Sequence, residues 1–459
     1  MGTNKKRSDF LVLGGGIAGL AIAELLQRSG ASVVLLEKNE TLCSEASAEQ
    51  QGWFHTGALY TALPRNSFCR TLVANLDDLI DYYNVFPGMN LRVDKHIYTA
   101  DREGWFSNRT NFYLYAHRKG VGWQWKLPWS LALHRAKRRM SWFELLDASR
   151  SLSHQLGADS KVITSVVQTP PAGINLPDVA FTLKSQDRGM NTRLIAADLL
   201  RSYLSCGGVV KTNVLAKSVA RSQVTATDSA GETKLFQARH IILTAGKSSH
   251  LFSDEIRVFA RSLLVVSPAL TDINFVNMSP HREQTINHLY HRYEGSDYSV
   301  IGNASYHDAQ TATAETMRRT TSRLFALAKK VFPNLEHAKV AVFYGYRTEL
   351  TQSSSIRNPL YHIKDYEHYT LALPGKFSLC FSLAANICRH FGIEPVSRTR
   401  MPQDIVVEQL IGLPRHVQIA KQLAFKADEQ RPNTLGSDRR SRRGQVQSTA
   451  AMKSQAARD

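Results

Sequence analysis

The sequence contains no apolar run of about 18 residues, the length that a transmembrane helix requires, so no membrane-spanning helix is expected. No apolar h-region precedes the first strand pattern, and a Sec-type signal peptide is therefore not expected either. The five cysteines form no C-x-x-C pair and the 16 histidines form no H-x-x-x-H pair, which excludes the usual patterns of redox motifs and helical metal sites. We expect reduced thiols, no metal ion and a cytoplasmic location.

Positive charge is in excess. The 459 residues include 57 Lys and Arg against 39 Asp and Glu, a formal net charge of +18. This balance favours anionic partners, namely acidic substrates, phosphates, a membrane surface or nucleic acid. Part of the excess lies in residues 428–459, which are polar and contain the sequence RRSRR. That composition predicts a disordered basic tail.

The most informative pattern lies in residues 9–38. An apolar run at 10–13 predicts a buried parallel strand, residues 18–28 have helical periodicity, and residues 31–36 form a second apolar strand pattern. Strand, turn, helix and strand follow one another within about 30 residues, as in the first βαβ unit of a dinucleotide-binding domain. The alternative is an ordinary βαβ unit with a glycine-rich turn.

Gly14, Gly16 and Gly19 occupy the turn at G-x-G-x-x-G spacing. A residue without a side chain lets the backbone approach a pyrophosphate, and the helix N-terminus supplies N–H groups and a partial positive charge. Glu37 stands 18 residues after Gly19, at the end of the second strand. A carboxylate at that place accepts hydrogen bonds from an adenosine ribose, so the pattern predicts dinucleotide binding.

Four segments resemble the D-amino-acid-oxidase-like (DAO) superfamily of FAD-dependent oxidoreductases, over most of residues 8–395. The first is the opening fingerprint through Lys38, and the second is QGWFHTG at 51–57. The third combines residues 207–214 and 240–246, and the fourth combines YGYR at 344–347 with ALPGKFS at 372–378. The resemblance is nearest the branches that act on L-2-hydroxyglutarate and glycerol 3-phosphate. The sequence departs from the family at Thr348, where proline is frequent, and in a closing loop with fewer glycines.

The resemblance implies FAD as the cofactor. The residues that it assigns to cofactor binding are Gly14, Gly15, Gly16, Ala18, Gly19, Glu37, Lys38, Ser44, Ser47, Gln50, Gln51, Gly52, Val214, Ala245, Gly246, Gly375, Lys376 and Phe377. The helix that begins near Phe377 would direct its N-terminal dipole at the flavin, with Lys376 adding positive charge. The alternative is a routine helix start with Lys376 in solvent.

The fold class expected from these patterns is α/β, a discontinuous Rossmann-like FAD-binding domain with a β-rich α+β substrate domain. The FAD-binding domain would comprise residues 8–85, 191–252 and 341–427, the last with the C-terminal helices. A substrate or cap region with a Trp-rich basic stretch would comprise 86–190, the substrate domain 253–340, and the disordered tail 428–459.

His55 is the first catalytic candidate. A neutral imidazole accepts a substrate hydroxyl proton as the hydride leaves. In related branches a histidine of a similar segment holds the flavin covalently, but there it directly follows a tryptophan, whereas Phe54 intervenes here. Proton acceptor, covalent tether and simple packing on the flavin remain three alternatives for His55.

Arg347 is the second catalytic candidate, because its planar fork suits a substrate carboxylate or phosphate. An ion pair at the strand end is the alternative. Tyr346 and His288 are further substrate-binding candidates. His288 belongs to the run TINHLYHRYEG, in which strand alternation places His288 and Tyr290 on one face and His291 on the other, and an exposed sheet face is the alternative.

Residues 117–142 are rich in tryptophan and basic residues and match no motif of the family. A cap over the active site is the favoured interpretation. A peripheral contact with the inner face of a membrane, where a quinone would reoxidise the flavin, is the second. Nucleic-acid binding is the third and least favoured. A helix at 141–156, capped by Ser141 and Glu144, is also predicted.

The expected function is an FAD-dependent dehydrogenase or oxidase that transfers hydride from a small anionic CH–OH substrate, such as a 2-hydroxy acid or glycerol 3-phosphate, to flavin N5. Oxygen, a quinone or a carrier protein would accept the electrons. Oxidation of an amino acid or an N-methyl amine on the same fold is the nearest alternative. A non-catalytic flavoprotein that acts as a scaffold is the other.

Overall fold

The computed structural model of the chain describes residues 7–428 except 65–66, 95, 101–103, 117–121, 148–162, 168–170, 172–173, 177–178, 351–359 and 400–403. The predictions for the basic tail beyond 428, for the start of the stretch 117–142 and for the end of the helix 141–156 lie outside the described residues.

The helices and strands of the described residues are numbered in chain order. Helices α1 to α7 are Ile17–Arg28, Ser67–Tyr83, Trp123–Asp147, Thr192–Ser205, Ala314–Val331, Cys380–His390 and Arg415–Asp428. Strands β1 to β21 are Ser8–Leu13, Val33–Leu36, Trp53–Phe54, Leu91–Asp94, His96–Thr99, Asn111–Ala116, Ile163–Val167, Val179–Ser185, Arg188–Gly189, Val209–Lys211, Leu215–Ala220, Gln223–Thr227, Thr233–Leu243, Ile256–Ser267, Asn274–Met278, Ile286–Tyr293, Ser296–Asn303, His307–Asp308, Lys339–Leu350, His362–Asp365 and Thr370–Leu373.

The first sheet has the strand order β10-β2-β1-β13-β12-β11, and β21 and β20 continue it from β13. Strands β10, β2, β1, β13 and β21 run parallel, whereas β11, β12 and the first half of β13 form an antiparallel meander. Parallel neighbours need crossover connections, and α1 supplies the one between β1 and β2. The Rossmann-like fold predicted from residues 9–38 is thus confirmed.

The two faces of this sheet are buried against different layers, because successive side chains of a strand point in opposite directions. Phe10, Val12, Leu35 and Ile242 pack with apolar residues of α1, α4 and α6. On the opposite face, alternate residues of the same strands, such as Leu11, pack against the meander. Burial on both faces explains why β1 and β2 are continuous apolar runs rather than alternating patterns.

The second sheet is mostly antiparallel and has the order β18-β14-β17-β16-β15-β6-β8-β7, with β19 beside β14. Helix α5 packs on one face, and helix α7 packs on the other. This sheet corresponds to the predicted β-rich substrate domain. Strand β19 pairs with β14 along its whole length, so residues 341–350, expected to open the closing segment of the cofactor domain, lie in the second sheet.

Helix α3 begins at Trp123, well before the predicted start at Ser141. Trp129 anchors the early part of the helix, since its ring stacks on Tyr115 with 6.3 Å between centroids and its Nε1 donates to the carbonyl of Ala116 at 3.0 Å. Tertiary packing therefore sustains a helix that includes Pro128, and Ser141 is an interior residue instead of an N-cap.

Candidate functional site

A long cleft opens at the carboxyl ends of the parallel strands. It has two parts, of about 760 Å³ and about 800 Å³, which share Gly16, Ala46, Ser47, Thr244 and Gly246 in their walls. The first part, here called the nucleotide cleft, begins beside the last residues of β1 and β2. The second, here called the substrate cleft, extends toward the second sheet and the Pro374-Gly375-Lys376 loop. Ligands of open parallel sheets bind at this end of the strands.

Glu37 forms the acidic corner of the nucleotide cleft. Its carboxylate accepts hydrogen bonds from the backbone N–H groups of Gly15 at 2.6 Å and Asn39 at 2.8 Å. Burial raises the pKa of Glu37. These bonds hold the carboxylate at the end of β2, where it suits the hydroxyl groups of a ribose.

The glycines of the turn have different roles. A Cβ on Gly19 would lie 1.9 Å from the carbonyl oxygen of Gly14, so no other residue allows α1 to pack this close to the strand. A Cβ on Gly16 would meet only the Ser47 Oγ, at 3.3 Å, because Gly16 faces the cleft. The space that a side chain would fill lies at the N-terminus of α1, which is where a pyrophosphate is bound in such folds.

The structure brings most of the predicted cofactor residues to the cleft. Those in its walls are Gly14, Gly16, Ala18, Glu37, Lys38, Ser44, Ser47, Gln50, Val214, Ala245, Gly246, Gly375, Lys376 and Phe377. An acidic corner, a turn without side chains, a helix N-terminus and a basic far end together fit the ribose, the pyrophosphate and the flavin of FAD.

Four of the predicted cofactor residues support the walls instead of lining them. Gly15 donates to Glu37 as described, and Gly19 lies at the helix contact. Gln51 is buried, and its Nε2 donates to the Oδ1 of Asn287 at 2.7 Å. The N–H of Gly52 donates to the side chain of Gln50. Gln51 thereby ties the cofactor segment to β16 of the second sheet.

The substrate cleft is rich in basic side chains. Arg261, Arg347 and Lys376 lie in its walls together with Tyr306, and Glu49 is the one acidic residue among the wall residues that the structure describes. The guanidinium carbons of Arg261 and Arg347 lie 5.3 and 5.4 Å from the Tyr306 ring centroid. Burial raises the pKa of Glu49, and the second negative group here is Glu349, whose Oε1 lies 3.5 Å from the Nε of Arg347. Three basic side chains thus face two carboxylates. The electrostatics therefore favour an anion.

Arg347 is held at the junction of the two sheets. Its Nη2 donates to the carbonyl of Gly375 at 3.1 Å, and its Nε lies 3.5 Å from the Oε1 of Glu349. Burial lowers its pKa, but Tyr306 and Glu349 raise it more, so the guanidinium stays charged. Tyr346 also lies in the wall, beneath Lys247, whose Nζ is 5.1 Å from the ring centroid. Sequence reasoning missed Tyr306 and Glu49.

His55 lies behind the wall of the substrate cleft, with its side chain 9% exposed. Its ring stacks on Trp53 at 5.7 Å, and its Nδ1 lies 2.9 Å from the Oδ2 of Asp187. Burial lowers the pKa of His55 to about 4, and the positive charges of Lys376 and Arg347 lower it as well. The imidazole is therefore neutral near pH 7.

Asp187 holds His55 in place, and sequence reasoning missed it as well. Its Oδ1 accepts from the backbone N–H of Thr56 at 2.8 Å and from the hydroxyl of Thr56 at 2.6 Å, and Tyr113 donates to its Oδ2. Burial raises the pKa of Asp187, but the hydrogen bonds led by that of His55 lower it more, so the carboxylate is ionised. An ionised carboxylate only accepts, which places the proton of the neutral His55 on Nδ1 and leaves Nε2 as the basic nitrogen.

The structure does not bring His288 to the cleft. His288 is fully buried, and its ring lies 5.6 Å from that of Phe275 and 5.3 Å from that of Phe332, in the core beneath α5. Its Nδ1 contacts the carbonyl of Ile273 and its Nε2 the hydroxyl of Ser299. Strand alternation gives the opposite face of β16 to His291, whose Nε2 lies 2.8 Å from the carbonyl of Gln51. His288 is therefore a core residue and does not line the cleft.

Fold and site together define a dinucleotide-binding oxidoreductase with a basic substrate cleft. The sequence matches the FAD dependent oxidoreductase (DAO) family over residues 9–373. The chain belongs to this family, and it is an FAD-dependent oxidoreductase. This assignment does not support the alternative of a non-catalytic scaffold.

Solved structures with the same fold are diverse in substrate. The L-alpha-glycerophosphate oxidase of Mycoplasma pneumoniae with FAD bound superimposes with a TM-score of 0.59 at 14% identity, over 86% of this chain and 97% of that one. The glycine oxidase of Geobacillus kaustophilus has a TM-score of 0.58 at 12% identity, over 89% and 99%. The L-proline dehydrogenase of P. horikoshii has a TM-score of 0.57 at 12% identity, over 86% and 95%. Among curated proteins, none matches the chain significantly. At these identities the likeness shows the fold alone.

Proposed function

We propose that the enzyme oxidises a small anionic alcohol, a 2-hydroxy acid or a compound of the glycerol 3-phosphate type. The observation that carries this proposal is the set of three basic side chains, Arg261, Arg347 and Lys376, in a cleft whose described wall residues include one carboxylate, that of Glu49. A carboxylate or phosphate is the ligand that such a cleft favours. When bound, FAD supplies the acceptor for the hydride that leaves the substrate carbon.

Arg347 is the anion-binding residue in this proposal. Its bond to the carbonyl of Gly375 and its stacking distance to Tyr306 hold the guanidinium plane in one orientation. A guanidinium held in this way binds a carboxylate or phosphate with two donors and so orients the rest of the substrate. Arg261, on the neighbouring strand β14, lies 5.3 Å from the Tyr306 ring centroid and adds positive charge beside Arg347.

His55 is the proton acceptor in this proposal, and this role requires its Nε2 to come within hydrogen-bond reach of the substrate hydroxyl, although His55 is not among the residues that line the cleft. With its proton on Nδ1, bonded to Asp187, the ring has one basic nitrogen, Nε2. A neutral hydroxyl loses its proton as hydride leaves, and a positioned imidazole accelerates such a step by about 10²- to 10⁴-fold. Asp187 acts on substrate only through His55, and it is a positioning residue.

The electron acceptor proposed is oxygen, a quinone or a carrier protein. The proposed location is the cytoplasm, with a peripheral contact on the inner face of a membrane. The five cysteines support this location, since all are free thiols and four are buried. Among the residues that the structure describes, no helix is both long and apolar enough to cross a bilayer.

The test is an anaerobic substrate panel with the FAD-loaded enzyme, in which loss of the visible flavin absorbance reports reduction. The panel contains 2-hydroxy acids, glycerol 3-phosphate, 2-amino acids of the same carbon skeletons, N-methyl amines and uncharged glycerol. We expect reduction by one or more anionic alcohols and none by glycerol. Reduction by amino acids or amines alone would replace the proposal with amine oxidation, and reduction by uncharged alcohols as fast as by anions would refute the role of the basic cleft.

The same preparation tests the covalent alternative for His55. After acid denaturation and removal of the precipitate, FAD held without a covalent bond stays in the supernatant. Flavin colour in the precipitate would identify a tether, with His55 as the first residue to replace. The proposal expects the flavin in the supernatant, because a ring bonded through Nε2 to flavin keeps only Nδ1 as a basic nitrogen, and Nδ1 faces Asp187.

A further inference from the structure

Helix α3 has a ridge of large apolar side chains on its outward face. Trp123 is 83% exposed, Leu127 is 69% exposed and Leu131 is 47% exposed. These three residues are spaced four apart, so they lie above one another on a single side of the helix. We call them the α3 ridge. Soluble surfaces rarely leave a contiguous group of such side chains in water unless it binds a partner.

The opposite face of α3 is attached to the rest of the protein. Trp129 and Ala136 are buried on that face, and Trp129 contacts Tyr115 and Ala116 as described above. Arg135 donates to the carbonyl of Ala62 at 3.4 Å. The ridge therefore cannot be turned inward without breaking these contacts, and its exposure is a consequence of how the helix is docked.

Basic residues surround the ridge. Arg138 is exposed and lies seven residues after Leu131, about two turns farther along the same face. Lys126 and Lys137 are exposed beside it, and residues 123–138 contain no Asp or Glu. Tryptophan and leucine side chains next to lysine and arginine are typical of helices that lie in the headgroup region of a membrane.

We propose that the α3 ridge inserts into the interface of a bilayer that contains anionic phospholipids. This inference rests on the peripheral membrane contact of the proposed function and deepens it, since it names the surface that binds and the class of lipid. Apolar burial and attraction between basic residues and anionic headgroups both contribute to binding. A second copy of the chain is a poorer occupant, because two molecules with a formal charge of +18 repel each other.

The surface adjoins the substrate cleft. The Tyr115 hydroxyl, under Trp129, lies 2.9 Å from the Thr61 hydroxyl, in the segment that follows His55. One residue earlier in that segment, the ring of Tyr60 lies 5.3 Å from the Nζ of Lys376 in the cleft wall. A bilayer bound at the α3 ridge would thus lie close to the site at which substrate binds.

The experiment is co-sedimentation of the full FAD-loaded chain with vesicles of phosphatidylcholine alone and with vesicles in which one third of the lipid is phosphatidylglycerol. The ridge variant replaces Trp123, Leu127 and Leu131 with Gln. The charge variant carries Lys126→Gln and Arg138→Gln. The control variant carries Leu235→Gln and Val406→Gln, two exposed apolar residues far from α3 in the sequence. FAD content and melting temperature confirm that each variant folds.

We expect the wild type and the control to bind the anionic vesicles and to bind pure phosphatidylcholine more weakly. The ridge variant should lose tenfold or more in affinity. The charge variant should lose about fivefold for each charge removed, with a weaker dependence on salt.

Equal binding by the ridge variant and the wild type would overturn the proposal, and so would a wild type that stays in the supernatant with both vesicles. If neither protein binds vesicles, and the wild type is a dimer whereas the ridge variant is a monomer, the ridge would be an interface with a second copy of the chain. Flavin reduction by substrate, measured without vesicles, tests the proposed function separately, so the two failures are distinguishable.

Discussion

The Nδ1 of His55 lies 2.9 Å from the Oδ2 of Asp187, a residue 132 positions later in the chain. His55 directly follows β3, and Asp187 directly precedes β9. These two short strands pair with each other, Trp53 with Gly189 and Phe54 with Arg188. This pairing brings the carboxylate to the imidazole. It gives His55 a defined tautomer and orientation, which a histidine that merely packs on a cofactor does not require.

Replacement of His55 by Ala should leave FAD bound and slow reduction of the flavin by substrate by about 10²- to 10⁴-fold, the usual contribution of a positioned general base. Retention of FAD is expected because His55 lies behind the cleft wall. Stopped-flow measurement of anaerobic flavin reduction checks the rate, and the flavin spectrum checks occupancy. An unchanged reduction rate would show that the base assignment is wrong.

Replacement of Asp187 by Asn should lower the limiting rate of flavin reduction by about 10- to 100-fold with little change in the substrate concentration that half-saturates it. The amide neither stabilises the positive charge that develops on His55 nor enforces the proton on Nδ1. Tyr113→Phe is the matched control, because it removes one donor to Asp187 and leaves the carboxylate. A defect in apparent substrate affinity alone, or an equal defect in both variants, would contradict the positioning role.

Replacement of Lys376 by Gln should move the acid limb of the rate profile to higher pH. Burial is the first cause of the low pKa of His55, about 4, and the charge of Lys376 is the second. In the wild type the imidazole is half protonated near pH 4, so we expect the acid limb of the rate profile there. Without the lysine the pKa of His55 rises, so protonation begins at a higher pH and the rate falls earlier.

Rates of anaerobic flavin reduction between neutral and acidic pH measure this shift of the acid limb. Lys247→Gln is its control, since it removes a lysine from the nucleotide cleft. A lower rate with an unshifted limb would mean that the limb does not report His55.

Replacement of Arg347 by Gln should lower kcat/KM for the anionic substrate by about 10- to 150-fold, from the ~1.5–3 kcal/mol of a hydrogen bond to a charged group. Arg347→Lys should recover part of the loss, because it restores the charge without the planar fork. Steady-state kinetics with one anionic substrate checks both variants. If Lys and Gln were equally harmful the charge would be irrelevant, and if neither were harmful the anion would bind elsewhere.

Gly16→Ala and Gly19→Ala form a matched pair at the turn. Gly19→Ala places a Cβ 1.9 Å from a backbone oxygen, so we expect it to destabilise the fold by about 1–3 kcal/mol or more. Gly16→Ala places a Cβ in the cleft, so we expect weaker FAD binding with a nearly unchanged stability of the apoprotein. Denaturation of the apoproteins and titration with FAD separate the two effects, and equal stability losses would contradict the distinction.

Much of the cofactor half could be predicted from the sequence, because its determinants are local. The strand, turn and helix of residues 9–38 form one unit whose glycines, apolar runs and Glu37 stand at fixed spacing, and all of it lies at the cleft or supports its wall. The structure does not place His288, a predicted substrate-binding residue, in the cleft. Strand alternation assigns residues to two faces of a strand, but it does not show which face meets the cleft. Only the packing of α5 decides that His288 is inside.

By itself, the sequence determined the Rossmann-like unit, the excess of positive charge and the apolar and basic composition of α3, because these depend on residue type and short-range periodicity. The tertiary structure alone decided three further features. It brought Asp187 to His55, it placed Arg261 and Arg347 beside Tyr306, and it turned Trp123 outward. Each depends on strands or helices far apart in the chain, whose register and docking are set by the packing of whole faces.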